Sequence, residues 1–179
     1  MPELPAGAAE NPDRLARDDF IRRFGGVVEH APWVAERAWA RRPFGDIAGL
    51  ARALEAEILS APRQEQLSLL NGHPELAGRE AVAGDMTPES TGEQGRLGLL
   101  SLTREALHDL QALNQAYRER FGFPLIVALR LHSGLDSVLA QGRLRLAHDP
   151  EAERAAALQQ VCQVMRGRLE RLSDPSDPA

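Results

Sequence analysis

The spacing of the apolar residues is the feature that most restricts the fold of this chain. Apolar side chains recur at intervals of three and four residues, which places them on one face of a helix. One such run is Ile47, Leu50, Leu54 and Ile58. Aromatic residues make up only 4% of the sequence, so a core must be built mostly from Leu, Ala and Val. Because this mixture favours helices, the pattern predicts an all-α chain.

Prolines and glycines divide the helical pattern into segments. Thr87 is followed by a proline, which is typical of an N-cap, and the helix that starts there is predicted to run to about Leu100. Gly122 is predicted to end a later helix, because glycine readily adopts the left-handed conformation found after a last turn. The first helix is predicted from about Pro12 to Gly25.

The chain is predicted to form a single-domain multi-helix bundle of about seven to nine helices. Its 179 residues suit one domain, and no linker interrupts residues 14–172. A disordered tail is expected over residues 1–13 and a flexible tail over residues 173–179. Residues 123–129 alone have a strand-like composition and are predicted to form one short extended buried segment. A bound polar ligand could satisfy its backbone groups, or it could simply be buried among helices.

Composition excludes several classes of function. The net charge of −5 and the scattered arginines argue against a nucleic-acid surface. No apolar run is long enough for a signal peptide or a membrane span. The single cysteine, Cys162, cannot form an internal disulfide and is expected to be a buried structural thiol. These features predict a cytoplasmic protein without a nucleic-acid or membrane partner.

The polar stretch over residues 71–94 is where chemistry is expected. His73 precedes Pro74, which pushes it out of helical geometry and onto a loop, and its side chain can exchange a proton near neutrality. Ser90, Glu93 and Gln94 have the spacing i, i+3 and i+4, so they share one face of the predicted helix. Donors and acceptors on one face suit a small polar ligand. A plain turn and a solvated helix start remain the alternative interpretations.

Four segments together resemble the 2-oxo-4-hydroxy-4-carboxy-5-ureidoimidazoline (OHCU) decarboxylase family of the urate degradation pathway. They are FIRRFGGVVEHAPWVAERAWARRPF at 20–44, HPELAG at 73–78, TPESTGEQ at 87–94 and LNQAYRERFGFPLIVALR at 113–130. The resemblance covers roughly residues 14–172 in order. Leu97, Leu125 and Gly167 depart from the family's usual pattern.

The resemblance implies a carboxy-lyase that converts OHCU to S-allantoin without a cofactor or metal, and it makes a homodimer plausible. It implies that His73 donates a proton and that Glu93 accepts hydrogen bonds from substrate N–H groups, so these two are the expected catalytic residues. The expected substrate-binding residues are Pro74, Ser90, Thr91, Gly92, Gln94, Leu125, Ile126, Val127, Ala128, Leu129 and Arg168.

Two other functions remain open at this point. One is a non-catalytic helical interaction module that keeps the fold. The other is a hydrolase of a related ureide, in which Glu93 would have to activate water. Metal binding by His73 and Glu93 lacks a third ligand at a sensible spacing, so no metal is expected.

Overall fold

The all-α prediction is confirmed. The structure, a computed structural model, describes residues 11–173. The tails predicted over 1–13 and 173–179 lie mostly outside the described residues, and within them residues 12 and 13 belong to a 3-10 turn and residue 173 ends the last helix. Within residues 11–173 there are nine α-helices, three short 3-10 turns and no strand. The helix count agrees with the predicted seven to nine. In this part of the chain no helix is both long and apolar enough to cross a membrane.

The helices follow one another along the chain with short connections. They are α1 (Arg17–Phe24), α2 (Pro32–Ala38), α3 (Ile47–Ser60), α4 (Arg63–Asn71), α5 (Arg79–Ala83), α6 (Pro88–Arg96), α7 (Arg104–Phe121), α8 (Leu135–Arg145) and α9 (Pro150–Ser173). The 3-10 turns are Pro12–Arg14, Trp39–Arg41 and Leu129–Leu131.

Two compact units can be distinguished in the chain. The first, here called the N-terminal unit, falls within Met1–Ser60 and Met165–Ala179, and the second, the central unit, is Ala61–Val164. In the N-terminal unit the ring of Phe20 lies 5.0 Å from those of Phe24 and Trp39, and the three share an apolar core with the buried side chains of α3.

The central unit contains α4 to α8 and the part of α9 up to Val164, and it packs mostly aliphatic side chains. Gly142 of α8 shows how closely they approach. A Cβ at this position would lie 2.7 Å from Leu113 of α7 and 2.8 Å from Leu125 of the extended segment. A larger residue would therefore require both leucine side chains to shift.

Two helix boundaries follow the predicted local rules and two do not. Thr87 caps α6, and Gly122, with φ of +78°, ends α7. The first helix begins at Arg17 and not near Pro12, because the intervening Leu15 is extended. Asp13 in that stretch accepts hydrogen bonds from the backbone N–H groups of residues 44 and 45 at 2.7 and 2.8 Å, a contact that local sequence does not reveal. Helix α6 stops at Arg96, ahead of Gly98, whose φ is +75°.

Candidate active site

A cavity in the central unit gathers most of the polar residues singled out in the sequence. It encloses about 260 Å³, including space open to solvent. Its lining consists of His73, Pro74, Leu76, Ser90, Glu93, Gln94, Val127, Leu129 and Val164. These residues form a polar wall (His73, Ser90, Glu93 and Gln94) and an apolar wall (Val127, Leu129 and Val164). A small polar molecule with one unsubstituted face would match this division.

Helix α6 supplies three of the four residues of the polar wall. Thr87 accepts a hydrogen bond from the Ser90 N–H at 3.3 Å, and Pro88 occupies the first helical position, so the helix begins at a defined point. From that point the helical repeat directs Ser90, Glu93 and Gln94 to one side. Ser90 and Gln94 are buried, whereas Glu93 is half-buried.

The loop after α4 supplies His73. Helix α4 ends at Asn71, and the His73 N–H donates to the carbonyl of Leu70 at 3.3 Å, after which Pro74 carries the chain away from helical geometry. Asn114 of α7 fixes the loop further along, because its side-chain amide donates to the carbonyl of Leu76 at 2.9 Å. His73 therefore sits at the start of a loop that is tied to the unit's core.

Gln94 is the second tie on this loop. Its Oε1 accepts a hydrogen bond from the Ala77 N–H at 2.8 Å, and its Nε2 lies 3.4 Å from the carbonyl oxygen of Glu75 and 3.2 Å from the sulfur of Met86. Ala77 has φ of +47°, a left-handed conformation that costs a non-glycine residue free energy. The sequence suggested substrate contact for Gln94, and the structure gives its amide a role in holding the loop as well.

The apolar wall consists of Val127 of the extended segment, Leu129 of the 3-10 turn that follows it and Val164 of α9. Residues 124–128 belong to no helix, and all side chains from 123 to 129 are buried. Val127 and Leu129 line the cavity, while Leu125 packs towards Gly142 in the core. Ile126 and Ala128 are buried with 0% and 1% of their surface exposed.

Two backbone groups of this segment are satisfied by side chains of the protein. The carbonyl of Ile126 accepts a hydrogen bond from Nη1 of Arg145 at 2.7 Å. The N–H of Ala128 donates to Oε1 of Gln160 at 2.9 Å. The sequence left open whether a ligand or the protein meets these groups, and for these two the partner is the protein.

Six of the expected substrate-binding residues do not line the cavity: Leu125, Ile126 and Ala128 of the extended segment, and Thr91, Gly92 and Arg168. Thr91 and Gly92 are exposed on α6. Arg168 lies in the N-terminal unit, where it is 2% exposed and its Nη1 donates to a carboxylate oxygen of Glu29 at 2.7 Å. Glu29 is itself 4% exposed, so this is a buried ion pair. Contact between Arg168 and a substrate stays a prediction.

Sequence reasoning missed Asn114, Arg145 and Glu29 as supporting residues. A signal was present for Asn114, which continues the apolar spacing of Leu110, Leu113 and Tyr117 on α7 and so interrupts a buried face with an amide. Arg145 and Glu29 gave no comparable signal, because a charged residue beside a helix end is usually solvated.

The fold and the cavity define a helical protein with a small, partly polar pocket lined from one loop, one helix and one extended segment. Residues 13–170 match the family model described as OHCU decarboxylase. The chain belongs to the OHCU decarboxylase family.

Two proteins named for this activity are similar to the chain over most of their length. A 2-oxo-4-hydroxy-4-carboxy-5-ureidoimidazoline decarboxylase of Haloferax volcanii is 40% identical over 88% of this chain and 90% of its own. The mouse protein of that name is 40% identical over 84% of each chain.

Two solved structures are similar to the fold. A crystal structure of (S)-allantoin synthase superposes with a TM-score of 0.71 at 29% identity, over 94% of this chain and 55% of that one, so this chain spans about half of that protein. A structure of OHCU decarboxylase in the presence of (S)-allantoin has a TM-score of 0.65 at 18% identity, over 88% and 99% of the two chains. The second supports the fold alone.

Proposed function

We propose that this protein decarboxylates OHCU to S-allantoin in urate degradation, as a carboxy-lyase that needs no cofactor. The observation that carries the proposal is that His73, Ser90, Glu93 and Gln94 line one cavity in a chain that matches the OHCU decarboxylase family model over residues 13–170. The relatives of that name are similar over nearly the whole described chain, which supports the same activity here.

The substrate's own structure explains why no cofactor is required. OHCU carries a hydroxyl and a carboxylate on a ring carbon next to a C=N bond. When carbon dioxide leaves, the electron pair of the broken C–C bond enters that C=N bond, which serves as an electron sink. Pyridoxal and thiamine supply such a sink in other decarboxylases. The protein then has to orient the carboxylate, stabilise the electron-rich intermediate and deliver one proton to one face.

The polar wall can perform these tasks. His73 is the proton donor, since an imidazole can give or take a proton near neutrality and the side chain borders the cavity. Glu93 accepts hydrogen bonds from ureido or ring N–H groups, and Ser90 offers a hydroxyl to a substrate carbonyl. The apolar wall covers the ring and excludes water, which strengthens the polar contacts. Arg168 binds an anionic or carbonyl oxygen in this proposal, by resemblance to the family.

We further propose that the protein acts in the cytoplasm, as a homodimer. The buried cysteine and the lack of internal disulfide pairing fit a reducing compartment. Light scattering of the purified protein at several concentrations decides the oligomeric state, and a constant monomer mass would reject the dimer.

The decisive experiment follows S-allantoin by circular dichroism from freshly generated OHCU, without added metal or cofactor. Wild type is expected to form one enantiomer rapidly, and His73→Ala to lose most of this, because general acid catalysis contributes roughly 10²- to 10⁴-fold. His108→Ala is the matched control, since His108 is exposed on α7. Wild-type turnover no faster than the spontaneous background would reject the enzyme and favour a helical interaction module. A different product would favour a ureide hydrolase.

A further inference from the structure

The apolar wall of the cavity is built from backbone that has no regular partner. Residues 124–128 are extended, yet no strand exists among the described residues to pair with them. Buried backbone N–H and C=O groups cost free energy when they are not hydrogen-bonded. The position of Val127 and Leu129 therefore depends on whatever side chains meet this backbone.

Two side chains hold the segment on either side of Val127. Arg145, the last residue of α8, donates to the carbonyl of Ile126 at 2.7 Å, and Gln160 of α9 accepts from the N–H of Ala128 at 2.9 Å. One contact is made by the residue before Val127 and the other by the residue after it. They fix the peptide groups on both sides of a residue that lines the cavity.

Arg145 is itself held in place by a buried network. Its Nη2 donates to Glu153 at 2.5 Å and to the hydroxyl of Tyr117 at 3.1 Å, and its Nε lies 3.0 Å from the same carboxylate. Glu153 is 0% exposed and Arg145 is 5% exposed. His148 completes the network, with Nδ1 at 2.8 Å from the other oxygen of Glu153. The guanidinium therefore has one available orientation, and that orientation points a donor at Ile126.

This network is not explained by stability alone. Burial raises the pKa of Glu153 to about 8 and lowers that of Arg145 to about 10, so burial disfavours the ionised form of both groups. Buried ion pairs can often be replaced by apolar residues with no loss of stability. A hydrogen-bonded pair of ionisable side chains in such a place is better explained by the geometry it imposes.

We propose that Arg145 and Gln160 are positioning residues for the decarboxylation, which hold the 126–128 backbone so that Val127 and Leu129 keep the substrate ring in place beside His73. This rests on the proposed function. Neither residue lines the cavity. Each acts through the segment, and misplacement of a reacting group by about 1 Å can cost on the order of 100-fold in rate.

The first test is the double variant Arg145→Met/Glu153→Leu, which removes both charges together and leaves no lone buried charge. We expect the variant to fold with a melting temperature lowered by about 5 to 10 °C, because the buried Ile126 carbonyl loses its donor. We expect kcat to fall about 10- to 100-fold, with a smaller change in KM. The matched control is Arg63→Met/Glu151→Leu, which removes an exposed ion pair of the same unit, and it should retain wild-type kcat.

The second test concerns Gln160, which is only partly buried and whose replacement should be tolerated by folding. Gln160→Leu removes the acceptor for the Ala128 N–H and should lower kcat, while Gln160→Glu keeps an acceptor oxygen and should restore most of it. Hydrogen exchange of the amides in residues 124–131 should become faster in Gln160→Leu and in the double variant, and not in the exposed control.

The outcomes separate this inference from the proposed function. The positioning role would be overturned if the folded double variant had wild-type kcat and wild-type hydrogen exchange over 124–131. If the double variant does not fold, the same result in Gln160→Leu would overturn it. Wild-type protein that does not decarboxylate OHCU would reject the proposed function. In that case unchanged exchange in the variants would still overturn the anchoring of the segment, and faster exchange would support it.

Discussion

The two walls of the cavity are built in different ways. The polar wall comes from a short stretch of chain, with His73 on the loop after α4 and Ser90, Glu93 and Gln94 on α6. The apolar wall comes from an extended segment and from Val164 of α9, and its backbone is held by Arg145 and Gln160. In the first wall, local rules of capping and helical repeat place the three side chains of α6, while Asn114 of α7 also ties down the loop that begins with His73. In the second, partners 19 and 32 residues away place them.

The difference shows that chemistry and position can have separate origins in one site. The residues proposed to exchange protons and hydrogen bonds with the substrate are nearly contiguous, so a short sequence motif carries them. The residues that set the distance across the cavity are scattered over α7, α8 and α9. Substitutions in the first wall should therefore change the chemistry, and substitutions behind the second should change geometry.

The largest effect is expected from the carboxylate of the polar wall. Glu93→Gln keeps the shape of the side chain but removes the charge that accepts substrate N–H groups, so kcat/KM should fall about 100-fold, or about 2.7 kcal/mol. Circular dichroism of S-allantoin formation measures this. Glu89→Gln, an exposed change on the same helix, is the control. Full activity in Glu93→Gln would mean that the polar wall does not depend on this carboxylate.

Gln94 tests whether the polar wall is held together by its own members. Gln94→Leu leaves the buried Ala77 N–H without its acceptor, which should lower the free energy of unfolding by about 2 kcal/mol in urea denaturation. Gln94→Glu keeps an acceptor oxygen and should lose less. If Gln94→Leu keeps its stability and loses only activity, the amide serves the substrate and not the loop.

The buried network behind the apolar wall contains a group that titrates, the carboxyl of Glu153. Burial raises the pKa of Glu153 from 4.5 to about 8, so between these values the folded protein keeps a proton that the unfolded chain has lost. Stability from this group is present below about pH 4.5 and is lost as the pH rises towards 8, with a slope of up to about 1.4 kcal/mol per pH unit. Urea unfolding from pH 5 to 8 should show this decline, and Glu153→Gln should flatten it. Parallel profiles would mean that pairing with Arg145 outweighs burial.

The same contrast separates what could be predicted from what could not. The boundaries at Thr87 and Gly122 were predictable, because a cap or a left-handed glycine acts on its own neighbours. The all-α class and the common face of Ser90 and Glu93 followed from spacing in the same way. The role of Arg145 was not predictable, since nothing local distinguishes an arginine that bonds a distant carbonyl from one that is solvated.

The smallest effect is expected at the N-cap of α6, and the N-cap of α7 offers a matched control. Thr87 and Thr103 both cap a helix, by accepting from the N–H of Ser90 at 3.3 Å and of Ala106 at 3.2 Å. Each change to Ala should lower the free energy of unfolding by about 1 kcal/mol. Only Thr87→Ala should also lower kcat/KM, by a few-fold, because α6 carries Ser90 and Glu93 into the cavity whereas α7 carries no cavity residue. Equal losses of kcat/KM in both variants would show that activity follows overall stability. The way in which each wall is held would then make no difference to kcat/KM.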